Sequence, residues 1–399
     1  MGLPLVHDSR VLEARAGAPI TSTPLRRVAI LGPAPPDRGG IARETALLVA
    51  HLERRVEVRW LTYSRRYPRW LDPRRFDLDA RLKSVPEALP MLDYRSPRSW
   101  ARTASAVAEA GCDALLVPWW TAFWGLPMRA VMRRLARRSP ATRRVLICHN
   151  VVDHEGGALR RFLSMGAFLA ADAFVVHSAS DARALARAAP GRPSVVLPHP
   201  VAPPAAAPSR EEARRALGLN EKPLLLFLGL VRSYKGVDVL LDAAPEIVRR
   251  SDASIAVVGE VFPEARELSG RAASSPVRDR ILWKDAYVPE EEMDAWLAAC
   301  DVVVLPYREI SGSGIAARAI AAARPIAAAA VGGLTDVVEP GETGELFPPG
   351  DASSLAAAVE RVLSGGAPRY APGLERAARR MSWENYVQAV LEFVGRSDR

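Results

Sequence analysis

Short, uninterrupted apolar runs alternate with amphipathic stretches along most of the chain. Residues 28–31 (Val-Ala-Ile-Leu) form the first run, and 56–60, 114–117, 145–148, 174–176 and 194–197 follow. Between them, residues 41–52, 126–136 and 181–188 place apolar side chains at helical spacing. Strands that are apolar at every position and separated by helices predict a parallel sheet covered on both faces. Five prolines then crowd into residues 198–208. Proline cannot donate to a sheet ladder and favours extended chain, so this stretch reads as a hinge. A helix at 210–217 follows, and a second strand–helix series starts at 224–228 and continues at 255–258, 281–283, 302–305 and 325–327. The pattern predicts an α/β chain with a loose tail at 1–24 and parallel-sheet domains at 25–198 and 222–373. A hinge at 199–221 joins the domains, and an amphipathic helix at 374–399 crosses back. Ligands of open parallel sheets bind beyond the strand C-terminal ends, here the cleft between the domains.

Composition narrows the class. Of 399 residues, 49% are apolar and 25% charged, which suits a globular protein and excludes disorder or a collagen repeat for the bulk. Only Cys112, Cys148 and Cys300 are present. They are too scattered for a disulfide framework or a zinc knuckle and fit a reducing cytoplasm. No apolar run reaches the roughly 18 residues of a membrane-spanning helix. The N-terminus lacks a charged-then-apolar secretion pattern, so a cytoplasmic protein is expected.

The net charge is +9, and much of it is local: residues 126–144 hold seven arginines and no acid. Met128, Val131, Met132 and Leu135 form an apolar stripe beneath them. A basic amphipathic helix of this kind can lie on an anionic membrane surface, with Arg133, Arg134, Arg137 and Arg138 toward the headgroups. Trp119, Trp120 and Trp124, just upstream, would line an acceptor pocket or touch lipid. A solvated arginine face is the plainer alternative, and no nucleic-acid-binding motif accompanies the charge.

The strongest constellation lies at residues 227–236. A strand ends in Gly229, Arg232 and Lys235 follow three residues apart, and Gly236 opens a helix. A guanidinium fork, an ammonium and free helix amides suit a diphosphate. At 306–315, Ser313, Gly314 and Ile315 precede a helix of small residues, where a phosphate can approach the backbone amides. This is not the Gly-x-Ser-x-Gly elbow of a hydrolase. The turn from Gly32 to Gly40 has neither a dinucleotide nor a Walker pattern. His149, Asn150 and His154 follow the 145–148 strand and would face the cleft. His149, His154 and Glu155 match no zinc spacing, and Asp77 and Asp79 sit in an arginine-rich loop, so no metal is expected.

A set of motifs in chain order resembles glycosyltransferase family 4 (group 1), retaining enzymes of the GT-B fold, with two Rossmann-like domains across a cleft. They are Gly39-Gly40-Ile41, His149-Asn150, Val176-His177-Ser178, Leu197-Pro198-His199-Pro200, residues 227–236, Val258-Gly259-Glu260 and Tyr287-Val288-Pro289. Residues 301–307, Arg324-Pro325-Ile326, residues 331–338, Gly341-Glu342-Thr343-Gly344 and Pro348-Pro349-Gly350-Asp351 complete the series. The resemblance implies that Arg232 and Lys235 hold the pyrophosphate of a nucleotide-sugar donor. Amides of Ser313, Gly314 and Ile315 would join them, with Gly259 and Tyr307 at the same site and Val288 near the base. His149 would sit beside the donor sugar, and Gly39 and Gly40 near the phosphate or acceptor. The family's glutamate pair, eight positions apart, would fall at Ile310 and Arg318 and is absent; Ser313-Gly314-Ile315 resembles the Ser-Gly-Val-like turn of one subgroup.

The implied activity is transfer from a UDP- or GDP-sugar to a glycan, lipid-linked or small-molecule acceptor, as in polysaccharide biosynthesis. It would need no bound metal or other cofactor, and the enzyme would be peripheral at the inner face of the membrane. The rival readings are a same-fold nucleotide-sugar epimerase or hydrolase and a catalytically weakened membrane-surface scaffold. A nucleic-acid partner is not expected.

Overall fold

The computed structural model describes residues 24–37, 40–68, 87–151, 157–201 and 208–396. Gly39, Asp77, Asp79, His154, Glu155, most of the expected tail and part of the proline-rich stretch lie outside the described residues. The first sheet holds seven strands: β1 (Arg27–Leu31), β2 (Glu57–Arg65), β3 (Leu89–Asp93), β4 (Ala114–Trp119), β5 (Arg143–Cys148), β6 (Ala173–Val176) and β7 (Ser194–Val196). Their spatial order is 3-2-1-4-5-6-7. The second sheet holds six: β8 (Leu224–Leu228), β9 (Ser254–Val258), β10 (Ile281–Lys284), β11 (Val302–Leu305), β12 (Ile326–Ala329) and β13 (Gly344–Phe347), in the order 10-9-8-11-12-13. Every pairing in both sheets is parallel.

Continuous burial explains the apolar runs. All five residues of β8 and all four of β6 and β11 are buried, because helices cover both faces of each sheet. Two strands escape the apolar-run criterion. β3 carries Pro90, which an edge strand tolerates because one side of its ladder is unpaired. β13 begins with Gly344 and contains Glu345, whose buried carboxylate accepts a hydrogen bond from Tyr370 Oη (3.2 Å) and pairs with Arg361.

The expected single helix at 374–399 is instead two. One helix, Ala352–Arg380, kinks at Gly366 and ends on the second domain, and Ser382 caps a second, Trp383–Gly395, by accepting from Asn385 N–H. Trp383, Val387, Val390 and Val394 of the second helix enter the core between β1, β4 and the helix Gly40–Leu52. Burial of such side chains is worth about 1.5–3 kcal/mol each, which ties the chain end to the first domain. The break is where the chain crosses, beside the outgoing segment: Val201 N–H donates to Met381 O (2.8 Å).

Two further expectations are corrected by burial. Met128, Val131, Met132 and Leu135 of the helix Gly125–Arg138 face the first-domain core, so that stripe seats the helix on the sheet and does not meet lipid. Trp119 and Trp124 are core residues too, Trp119 against Phe168 and Trp124 stacked on Tyr63 with ring centroids 4.4 Å apart. Trp120 is half-buried and donates Nε1–H to Tyr67 Oη (3.0 Å).

Candidate functional site

The C-terminal ends of β8 and β11 converge on one spot. After β8 the chain turns at Gly229 and again at Gly236, whose φ of +65° starts the helix Val237–Ser251. A β-carbon at Gly236 would lie 1.9 Å from Pro306 O, so only glycine lets the two strand exits approach this closely. Lys235 is thereby brought to the Gly229 turn. Its Nζ and Ile315 Cγ1 lie 3.8 and 3.7 Å from the position a Gly229 β-carbon would occupy. Lys235 Nζ donates to Tyr307 Oη (3.4 Å) and sits 4.8 Å from that ring's centroid. Burial disfavours its charge, yet the phenols of Tyr307 and Tyr234 carry its pKa above the ordinary lysine value, so it is a cation at neutral pH.

Ile315 belongs to the helix Gly314–Ala321, capped by Ser313, which accepts from Ala316 N–H (3.2 Å). The Gly314 and Ile315 amides precede the first bonds of this helix, and Gly314 is exposed. Arg232 lies on the same turn, its guanidinium 4.7 Å from the Phe262 ring centroid and 3.1 Å from Glu264. Lys235 and Ile315 thus meet at the Gly229 turn beside the Gly314 amide, and Arg232, paired with Glu264, is on the same loop and close enough for its charge to act on Lys235.

Other expected residues take different places. Gly259 is pressed against Gly229, where a β-carbon would meet Gly229 O at 1.9 Å, so a side chain there would disrupt the close fit of the β8 and β9 exits. Tyr307 is fully buried and reaches this site only through the contact of its hydroxyl with Lys235. The Val288 side chain is in the second-domain core and leaves only backbone to face a ligand. Arg318 pairs with Glu290 and Asp294, and Glu290 also meets Arg43 across the cleft (2.7 Å). Gly40 is exposed at the start of its helix.

On the first domain, His149 follows β5, and its Nδ1 is 3.6 Å from Glu44 Oε2. Asn150 is exposed and donates Nδ2–H to Trp120 O (3.3 Å). Three residues that spacing did not single out as site residues join His149. His177 follows β6, His199 follows β7, and Glu44 comes from the helix Gly40–Leu52. His177 and His199 stack with centroids 3.9 Å apart, and His199 Nδ1 is 3.1 Å from Glu44 Oε1. Burial holds His149 down to about pKa 4 and His177 well below the usual imidazole range, so both are neutral at pH 7. Burial opposes the Glu44 charge, but His149, His199 and His177 more than offset it and keep the carboxyl ionised. In the sequence, His149 and His177 directly follow strands whose exits face the cleft, and His149, His177 and His199 fall in motifs of the family resemblance, but nothing there marked Glu44 or joined the four.

The domains meet beside this cluster. Asp336 accepts from Ala179 N–H at the start of the helix Ala179–Ala188 (2.8 Å), and a β-carbon on Gly312 would lie 2.8 Å from His199 Nε2.

Two Rossmann-like sheets facing through their strand exits, with the last helix returning to the first, define a GT-B protein. The solved structures agree: a sucrose-phosphate synthase from Thermosynechococcus elongatus superposes with a TM-score of 0.72 at 20% identity, covering 92% of this chain and 97% of that one. Anabaena HepE in complex with UDP gives 0.69 at 15% identity, covering 91% and 98%. Residues 222–365 match the family described as "Glycosyl transferases group 1". A D-inositol 3-phosphate glycosyltransferase of Xylanimonas cellulosilytica is 37% identical over 198 residues, 47% of this chain and 46% of that one. A GDP-mannose-dependent alpha-(1-6)-phosphatidylinositol monomannoside mannosyltransferase of Mycolicibacterium smegmatis is 28% identical over 88% of this chain and 92% of its own. The matched region spans about half the length of the first curated relatives (46%, 46% and 54%).

Proposed function

We propose that this chain is a glycosyltransferase that moves a sugar from a UDP- or GDP-sugar to an acceptor hydroxyl, with retention at the anomeric carbon. The observation that carries the reading is that Lys235 meets the start of the Gly314–Ala321 helix at the exits of β8 and β11, with Arg232 on the same loop. As the sugar–phosphate bond breaks, charge grows on the leaving diphosphate, and preformed donors aimed at it lower the barrier. Removing one such donor costs about 2.7–4 kcal/mol in comparable sites, or roughly 10²–10³ in rate. The cations meet this charge without a metal at the diphosphate. An acceptor attacking from the leaving-group face passes its proton to a phosphate oxygen. Neutral His149, across the cleft, would present a hydrogen bond to the donor sugar. The names of the relatives, one using GDP-mannose and another structure holding UDP, support both nucleotides as candidates.

A separate observation supports an acceptor at an anionic lipid surface. Leu159 and Phe162 of the helix Ala158–Phe168 are 71% and 66% exposed, and Leu126, Met165 and Leu169 extend the same apolar face. This helix lies against Gly125–Arg138 through Gly166 and Arg129, and the exposed Arg133, Arg134, Arg137 and Arg138 border the pair. Apolar side chains beside a cationic row match a bilayer interface with negative headgroups.

A thermal-shift titration against UDP, GDP, ADP and their sugars tests the donor site. At a hundredfold excess over the dissociation constant the bound form gains about 2.7 kcal/mol. The expected result is an upward shift for one nucleotide that Lys235→Ala and Arg232→Ala abolish. Failure of every nucleotide to shift the wild type would overturn the proposal. Donor consumption that is indifferent to acceptor would reassign the site to an epimerase or hydrolase.

A further inference from the structure

The structure assigns a second site: Glu44, His149, His177 and His199 form a binding site for one divalent first-row transition metal, with Zn²⁺ as the probe. One ligand atom from each of the four lies within 4.8 Å of the others. Three imidazole nitrogens and one carboxylate oxygen are a donor set that Zn²⁺ and its neighbours in the first transition row favour.

The hydrogen bonds independently point inward. His177 Nδ1 lies 2.9 Å from Leu197 O, and since a carbonyl can only accept, this nitrogen carries the proton. Nε2 of His177 is then a bare lone pair, and it is buried with no hydrogen-bond partner among the described residues. Orienting one imidazole nitrogen through a backbone carbonyl is how proteins set the other for a metal. Nδ1 of His149 is likewise buried without a hydrogen-bond partner among the described residues, 3.6 Å from the Glu44 carboxylate. Two buried nitrogens without a partner among the described residues are costly unless an ion or another group meets them.

The four ligands come from one helix and three strand exits, so a bound ion would brace the first-domain face of the cleft beside Gly312. This inference rests on the side-chain geometry alone and is independent of the transferase reading. It also differs from the sequence expectation of no metal, which weighed only neighbours in the chain.

The experiment uses tag-free full-length protein stripped with a chelator, then titrated with Zn²⁺ against a chromophoric competitor and separately with Co²⁺. One equivalent of Zn²⁺ and a visible Co²⁺ spectrum of a nitrogen- and oxygen-ligated ion are expected. Affinity should fall by at least ~10-fold in Glu44→Gln and further in His177→Ala, since loss of a ligand exceeds loss of a supporting contact. His51→Gln, outside the cluster, should bind as wild type. Absence of stoichiometric binding by the folded wild-type chain overturns the assignment, and so does binding that survives both ligand substitutions. Should a substituted chain fail to fold, the wild-type Co²⁺ spectrum decides alone. Nucleotide binding is a separate readout, so the two proposals can fail separately.

Discussion

Replacing Gly236 by alanine tests whether the approach of two strand exits builds the candidate anion site. Gly236 has φ +65°, a conformation that costs an L-residue about 1–2 kcal/mol. The added β-carbon would also lie 1.9 Å from Pro306 O, far inside van der Waals contact. Relieving such an overlap in a packed region costs about 1–3 kcal/mol. Together these give a destabilisation of about 2–5 kcal/mol. For a domain of this size that lowers the melting temperature by about 5–15 °C, read by circular dichroism. The turn also sets Lys235, so nucleotide-induced stabilisation should shrink in any folded fraction. Gly270 is the matched control, since a β-carbon there meets nothing within 4 Å on the exposed helix Glu267–Ala273. Gly270→Ala should stabilise by about 0.5–1 kcal/mol, because alanine loses less backbone freedom on entering a helix. A Gly236→Ala protein that melts with the wild type, or two alanine variants that shift alike, would refute the reasoning.

Two further outcomes follow from the same structure. Arg214 is 1% exposed, donates to Ala299, Asn220 and Lys222 carbonyls, and pairs with Asp301 at 2.7 Å. Arg214→Ala should therefore destabilise the second domain by about 3 kcal/mol in urea unfolding, with Asp301 still held by Arg210; a loss under 1 kcal/mol would contradict the burial argument. At the membrane face, vesicles containing phosphatidylglycerol should float the protein and neutral vesicles should not, at about 1 kcal/mol per arginine near the surface. Serine at Arg133, Arg134, Arg137 and Arg138, or at Leu159 and Phe162, should weaken that binding, and indifference to both sets would remove the lipid surface from the proposal.

Much of the architecture was written locally. A strand such as Leu224–Leu228, apolar at every position, can only be satisfied inside a doubly covered parallel sheet, and the turn that follows it already carries Gly229, Arg232, Lys235 and Gly236 in order. Those properties need only neighbours in the chain, so they are legible without a structure. β3 and β13 were not, because Pro90 is acceptable only on an edge and Glu345 only beside Tyr370, and both conditions are set by distant residues. The tryptophans were misplaced for the same reason. Burial of Trp119 and Trp124 depends on Phe168 and Tyr63, and the two most exposed large apolar side chains, Leu159 and Phe162, belong instead to the helix Ala158–Phe168, which no strand pattern marked. The break at Ser382 likewise reflects a crossing between domains held by Val201 and Met381, 180 residues apart in the chain. The sharpest case is the histidine cluster. The sequence marks His149 as a cleft residue and holds His177 and His199 in separate motifs, but nothing in it joins them to one another or to Glu44. They become one site only because parallel strands deliver their ends to the same edge of a sheet, and that coincidence is a property of the tertiary structure alone.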